Sequence, residues 1–251
     1  LTDLRQAMQL AEVQRTQIGG AEQERARGFS SFGETFEQMV AWQVELGDAS
    51  EALAAIEQSL QFDPLSANTY NNLAIVLRDQ NRLSDALAAV HDALRLRPDY
   101  AEALNTLGLV LQAQGRLDEA IATIDEGLAI NPQSSSLHAV KAFAFDWYGA
   151  SGVAGEASQE CLIKGEQSAV EALQYDNTNA LALAYYAELL IDQQKWTQAQ
   201  QYIAQAMERD SSLMDVHRVN GNIQEAIANY NGAIEEYQKA IAITPNLNFL
   251  Y

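Results

Sequence analysis

Pro64, Pro98 and Pro132 stand 34 residues apart, and Pro245 follows after three further periods plus 11 residues. A fixed spacing of this length marks stacked repeats, each one supersecondary unit. Other columns keep the same phase. Small residues recur at Val40 (the loosest fit), Ala74, Gly108, Ala142, Ala187 and Gly221. Twelve places on come Ala52, Ala86, Ala120, Gly165, Ala199 and Ala233, and seven further Ser59, Ala93, Gly127, Ala172, Ala206 and Ala240. Between the last two columns lie Ile56, Val90, Ile124, Ala169, Ile203 and Tyr237. Small residues at such spacing let two helices approach closely, and the larger apolar residues fill the gap. Each unit therefore reads as two amphipathic helices joined by a turn such as "DQNR", "AQGR" or "ELGD". The proline falls where the chain must leave one helix and start another.

The segments "NNLAIVLRDQNRLSDALAAVHDALRLRP" and "NTLGLVLQAQGRLDEAIATIDEGLAINP" resemble the tetratricopeptide repeat family and carry nearly its full consensus. The resemblance implies an all-α, right-handed superhelical solenoid of tandem helix-turn-helix units. Six units are placed at 33–66, 67–100, 101–134, 135–179, 180–213 and 214–247. Residues 1–32, with "LTDLRQAMQLAEVQRTQ", are read as a helical cap or a degenerate repeat, a cap being what a solenoid's apolar end needs. The fourth unit holds 11 extra residues between Phe145 and Ala172. That is about three helical turns, so longer helices bracketing a glycine-rich loop are expected in the 146–165 region, either as a surface insertion or as a loop contacting a ligand. "NLNFLY" places Tyr251 where Tyr70 stands, so residues 248–251 read as the start of a truncated seventh repeat, and a longer parent is expected.

Charge narrows the partners. Fifteen basic against thirty-four acidic residues give a net charge of -19, which repels phosphate backbones and anionic lipid. No nucleic acid is expected as partner, and a neutral or basic polypeptide suits better than an acidic one. No apolar run could span a bilayer, and no signal-peptide pattern is present. The cytoplasm is favoured, with a membrane-tethered or extracytoplasmic parent left open.

No catalytic or metal-binding pattern stands out. His91, His138 and His217 lie in different repeats, without metal-ligand spacing. Cys161 has no histidine near it in sequence and reads as a small buried residue. "GASGVAG" lacks the Lys and Ser/Thr of a phosphate loop. The expectation is a non-enzyme with no cofactor and no metal.

Asparagine then needs explaining. It is worse than alanine in a helix by up to about 0.7 kcal/mol, yet "NTYNNLAIVL" holds three. In the family resembled, the first helix of each unit lines the concave groove. The resemblance places Asn68, Asn71, Ile75 and Arg78 there in unit two, Glu102, Asn105, Leu109 and Gln112 in unit three, and Ala139, Phe143 and Asp146 in unit four. Leu181, Ala184, Glu188 and Ile191, then Asp215, Arg218, Asn222 and Glu225, follow in units five and six. Asn71 and Asn105 are equivalent, and a side-chain amide matches the N–H and C=O of an extended peptide. Ile75, Leu109 and Phe143 would supply apolar contact, Arg78 would pair with an acidic ligand group, and Asn72 would brace a neighbouring helix. The carboxylate clamp of co-chaperones is not matched, since Asn71, Ile75, Thr106, Ser136 and Val140 stand at its places and the basic residues are missing. The expected function is a protein-interaction scaffold binding an extended peptide or partner in the groove. A regulatory or targeting domain of a larger enzyme, and a self-assembling scaffold, are the alternatives.

Overall fold

The computed structural model describes residues 49–150 and 158–244. The expected cap or degenerate repeat at 1–32, the first helix of unit 33–66, most of the glycine-rich loop and the start of a seventh repeat lie outside them. Among the described residues every regular element is α-helix: α1 (Ala49–Phe62), α2 (Ala67–Asp79), α3 (Leu83–Leu96), α4 (Ala101–Ala113), α5 (Leu117–Ile130), α6 (Ser135–Ala150), α7 (Ser158–Tyr175), α8 (Ala180–Asp192), α9 (Trp196–Arg209), α10 (Met214–Ala226) and α11 (Tyr230–Ile243). Each first helix packs on the second helix of its own unit, α2 on α3, α4 on α5, α6 on α7, α8 on α9 and α10 on α11. First helices also touch in sequence, α2 to α4 to α6 to α8 to α10, forming an inner layer. The result is a helical-repeat solenoid.

Local chemistry sets the boundaries. Ser66 caps α2 by accepting from Thr69 N–H, and Asn179 caps α8 by accepting from Ala182 N–H, which satisfies donors a helix start leaves orphaned. Within each short turn one residue adopts positive φ: Asn81, Gly115, Gln194 and Ala228, at 58°, 73°, 59° and 60°. This left-handed residue lets Arg116 N–H reach back to Leu111 C=O and closes α4. Only Gly115 takes the conformation without steric cost. The fourth unit has longer helices, α6 of 16 and α7 of 18 residues, against 13 and 14 for α2 and α3.

The small-residue columns form the helix–helix seams. Ala74, Ala86, Ala93, Ala120, Ala142, Ala172, Ala187, Ala199 and Ala206 are fully buried, with Val90 and Ile124 filling the space between. Burying one such aliphatic side chain contributes about 1.5–3 kcal/mol. At Gly108 an added Cβ would lie 2.8 Å from Ile124 Cγ1, and at the equivalent Gly221 it would lie 2.4 Å from Tyr237 Cε1. Close approach, not flexibility, explains glycine at these two places. Among the described residues no helix is long and apolar enough to cross a membrane.

A concave cavity as the candidate binding site

Stacking five first helices side by side leaves a cavity of about 500 Å³ on the inner face. Its walls are Arg78 and Asp79 of α2, Leu109, Gln112 and Ala113 of α4, and Phe143, Asp146 and Trp147 of α6. Leu181, Tyr185, Glu188, Ile191 and Asp192 come from α8, and Met214, Asp215, Arg218 and Asn222 from α10. Ser212, Leu213, Ile243 and Thr244 close one end. The volume lies in the range of small-ligand and side-chain pockets.

Of the residues expected in the groove, Arg78, Leu109, Gln112, Phe143 and Asp146 meet in this cavity, as do Leu181, Glu188, Ile191, Asp215, Arg218 and Asn222 of units five and six. Asn68, Asn71, Asn72, Ile75, Glu102 and Asn105 do not line it. Asn71 and Asn105 precede Arg78 and Gln112 by seven residues, so each lies two turns toward the helix N-terminus on the same face. Asn71 is buried and Asn105 half-buried, and the Oδ1 of each has no hydrogen-bond partner. Asn68 Oδ1 accepts from Arg97 Nη2. Asn72 and Ile75 are half-buried, and Glu102 is exposed.

The α8–α10 side is densely bonded. Arg218 donates to both carboxylate oxygens of Glu188, at 2.6 and 2.8 Å, and its Nε donates to Asp215 at 3.1 Å. Asn222 donates to Glu188 at 3.0 Å, and the Tyr237 hydroxyl reaches Asn222 Oδ1 at 2.8 Å and Glu225 at 2.9 Å. The Arg218 guanidinium also sits 4.9 Å from the Phe143 ring, which stacks on Tyr185 at 4.5 Å and on Trp147 at 5.9 Å. A bidentate arginine–carboxylate pair fixes orientation as well as charge.

The α4–α6 side is the opposite. Gln112 is 2% exposed, and neither its Oε1 nor its Nε2 has a hydrogen-bond partner. Asp146 is 6% exposed and its Oδ1 is likewise unpaired. Burial pushes the Asp146 carboxyl well above the usual range, and the carboxylates of Glu188 and Asp192 push it the same way. Burial also raises Asp192, against the pull of its hydrogen bond with Asp146. Asp192 is exposed while Asp146 is buried, and two acids joined by a hydrogen bond share a proton more readily than both ionise.

Asp79, Trp147, Tyr185 and Asp192 also line the cavity and were not among the expected groove residues. Asp79, Trp147 and Asp192 stand at one offset, together with Ala113, directly after Arg78, Gln112, Asp146 and Ile191. The 34-residue phase held that signal. Among the described residues no group of three His, Cys, Asp or Glu side chains could hold a metal ion.

Comparison with known proteins bears on family. The model of the family described as tetratricopeptide repeat matches residues 71–135, and that of the bacterial transcriptional activator domain matches residues 4–99. No curated protein matches the sequence. Among solved structures, a tetratricopeptide repeat protein from Parabacteroides merdae is similar, with a TM-score of 0.63 at 17% identity over 96% of this chain and 87% of its own. The human IFIT1 dimer with m7Gppp-AAAA gives a TM-score of 0.64 at 15% identity, over 88% and 52% of the two chains. The APC/C hetero-tetramer Cut9–Hcn1 gives 0.61 at 15%, over 85% and 40%. At these identities the likeness is one of fold. The 34-residue phase, the paired helices and the family model agree: residues 71–135 match the tetratricopeptide repeat, and the described helices share the fold of tetratricopeptide repeat proteins.

Proposed function

We propose that the chain is a non-catalytic scaffold that holds an extended peptide, or an extended segment of a partner protein, along its concave face. Proteins of this fold are generally interaction scaffolds. The observation that carries the reading is Gln112: a side chain buried in the cavity wall with both amide atoms unpaired. A buried polar group without a partner costs about 1–3 kcal/mol, a cost that a peptide backbone donor and acceptor would remove. Asn71 and Asn105 continue the amide row toward the helix N-termini, with Ile75 and Leu109 beside them, and Arg78, Phe143 and Asp146 complete the far wall. A nucleic acid ligand such as the one in the IFIT1 structure is disfavoured here by the net charge of -19.

Selection of a random peptide library on the purified chain tests this. A consensus is expected, and it should be lost on a folded Asn71→Ala, Asn105→Ala, Gln112→Ala variant. Absence of any enriched peptide, or enrichment indifferent to the three changes, would overturn it. A second reading, a regulatory arm of a larger protein, is favoured by the transcriptional-activator match over residues 4–99. A catalytic or effector domain in the parent reading frame would support that reading, and its absence would remove it.

A further inference from the structure

We propose that the cavity receives one cationic side chain of the bound peptide, a lysine or arginine, seated against Asp146 and Asp192 with the Gln112 amide beside it. This rests on the peptide-groove reading and adds the chemistry of the central contact.

Charge accounting leads there first. The cavity's own cations are both engaged, Arg78 by Asp79 at 2.6 Å and Arg218 by Glu188 and Asp215 at 2.6 and 3.1 Å. Asp146 and Asp192 are the lining carboxylates left over, and neither has a basic side chain within ion-pair distance among the described residues. An acidic cluster alone would say little, since many are only solvated. Here a second observation points inward: Gln112, 98% shielded from solvent in the same wall, has no partner for its carbonyl or its amide. Asp146 Oδ1 is in the same condition.

The two orphan oxygens, Gln112 Oε1 and Asp146 Oδ1, need donors. An ammonium brings three and a guanidinium five, with no acceptor to compete. An acidic ligand would add a like charge to the cluster, and an apolar one would leave both oxygens unpaired. The walls suit the rest of such a side chain. Leu109 and Ile191 offer apolar surface for its methylene stem, and Trp147 adjoins Asp146 as an aromatic neighbour for the charge. The raised Asp146 carboxyl fits the same picture, being an acid held toward its neutral form by burial and by like-charged neighbours.

The test uses the library selection above, followed by titration calorimetry. The expected result is a consensus with one required Lys or Arg, whose replacement by norleucine weakens binding about tenfold or more. The same replacement should change affinity by less than about threefold in an Asp146→Asn, Asp192→Asn variant, because both charge partners are already gone. Asp192→Asn alone, at the exposed carboxylate, serves as the second variant should the double change fail to fold, and should shrink the norleucine effect. A consensus without a basic position, or a norleucine effect that survives these changes undiminished, overturns this inference and leaves the groove reading standing. Absence of any enriched peptide overturns both. A parallel arm titrates n-butylammonium and n-butylguanidinium chloride while the Gln112 side-chain amide is followed by NMR. Saturable shifts there, without peptide enrichment, would assign the pocket to a free amine and overturn the peptide source.

Discussion

The two sides of the groove use polar residues in contrasting ways. On α2 and α4, Asn71, Asn105 and Gln112 carry buried amide atoms without partners. On α8, α10 and α11, Glu188, Arg218, Asp215, Asn222, Tyr237 and Glu225 form one connected network across two repeats. The contrast occurs at equivalent positions, since the repeat phase aligns Arg218 with Asn71 and Asn105. One side therefore gains rigidity from internal hydrogen bonds, and the other holds hydrogen-bonding capacity that the fold does not use. Stability and recognition are divided between the two.

The comparison is broken most severely at Arg218. Arg218→Met strands Glu188 in a buried site and should lower stability by about 3–5 kcal/mol in urea denaturation. Adding Glu188→Leu should recover much of that loss, and a double variant as unstable as the sum of the singles would refute the pairing. Next comes glycine at the two equivalent seams. Gly221→Ala drives a Cβ into the Tyr237 ring and should cost about 1–3 kcal/mol. Gly108→Ala meets the more adaptable Ile124 side chain at a longer distance and should cost less, both changes regaining the same helix propensity of about 1 kcal/mol. Equal costs would mean that the Tyr237 network does not stiffen its seam.

A gain is expected on the other side. Gln112→Leu removes two orphan atoms and should leave stability unchanged or raise it by about 1 kcal/mol, while weakening peptide binding. A clear loss of stability would show that Gln112 already has partners. Ala228→Gly relieves the left-handed alanine of the last turn, worth about 1 kcal/mol before backbone entropy is counted, and thermal melting should register a small rise. The smallest effect is in pH. Asp146 and Asp192 have folded pKa values raised above the ordinary 3.8, so between that value and the raised ones the native state binds more protons than the unfolded. Stability should therefore fall as pH rises through this window. Asp146→Asn should flatten that slope, and an unchanged profile would contradict a shared proton.

The solenoid was legible because its signal is periodic: Ala74, Ala86, Ala93, Ala120, Ala142 and Ala206 are fully buried, and each stands in a column readable from Pro64, Pro98 and Pro132. The floor of the cavity was less so. Offsets within a helix name the face a residue occupies, but not whether successive helices converge there, and convergence depends on how five units curve. Thus Arg78, Gln112 and Asp146 share the cavity while Asn71 and Asn105, on the same face, lie outside it toward the helix N-termini. The bonding state of an amide was hidden for a related reason. Glu188 and Arg218 were placed as groove residues, but their pairing joins side chains 30 residues apart, and no local pattern in the sequence announces it.

The Glu188–Arg218 bond also limits how the chain can be rearranged. Repeat arrays are commonly treated as interchangeable bricks, each contributing its own share and a contact with the next. Units five and six do not satisfy that picture, because half of a buried charge pair lives in each. They form a single brick of double length. A chimera that replaces one of them alone inherits an uncompensated ion, whereas one that moves both together carries its neutrality with it.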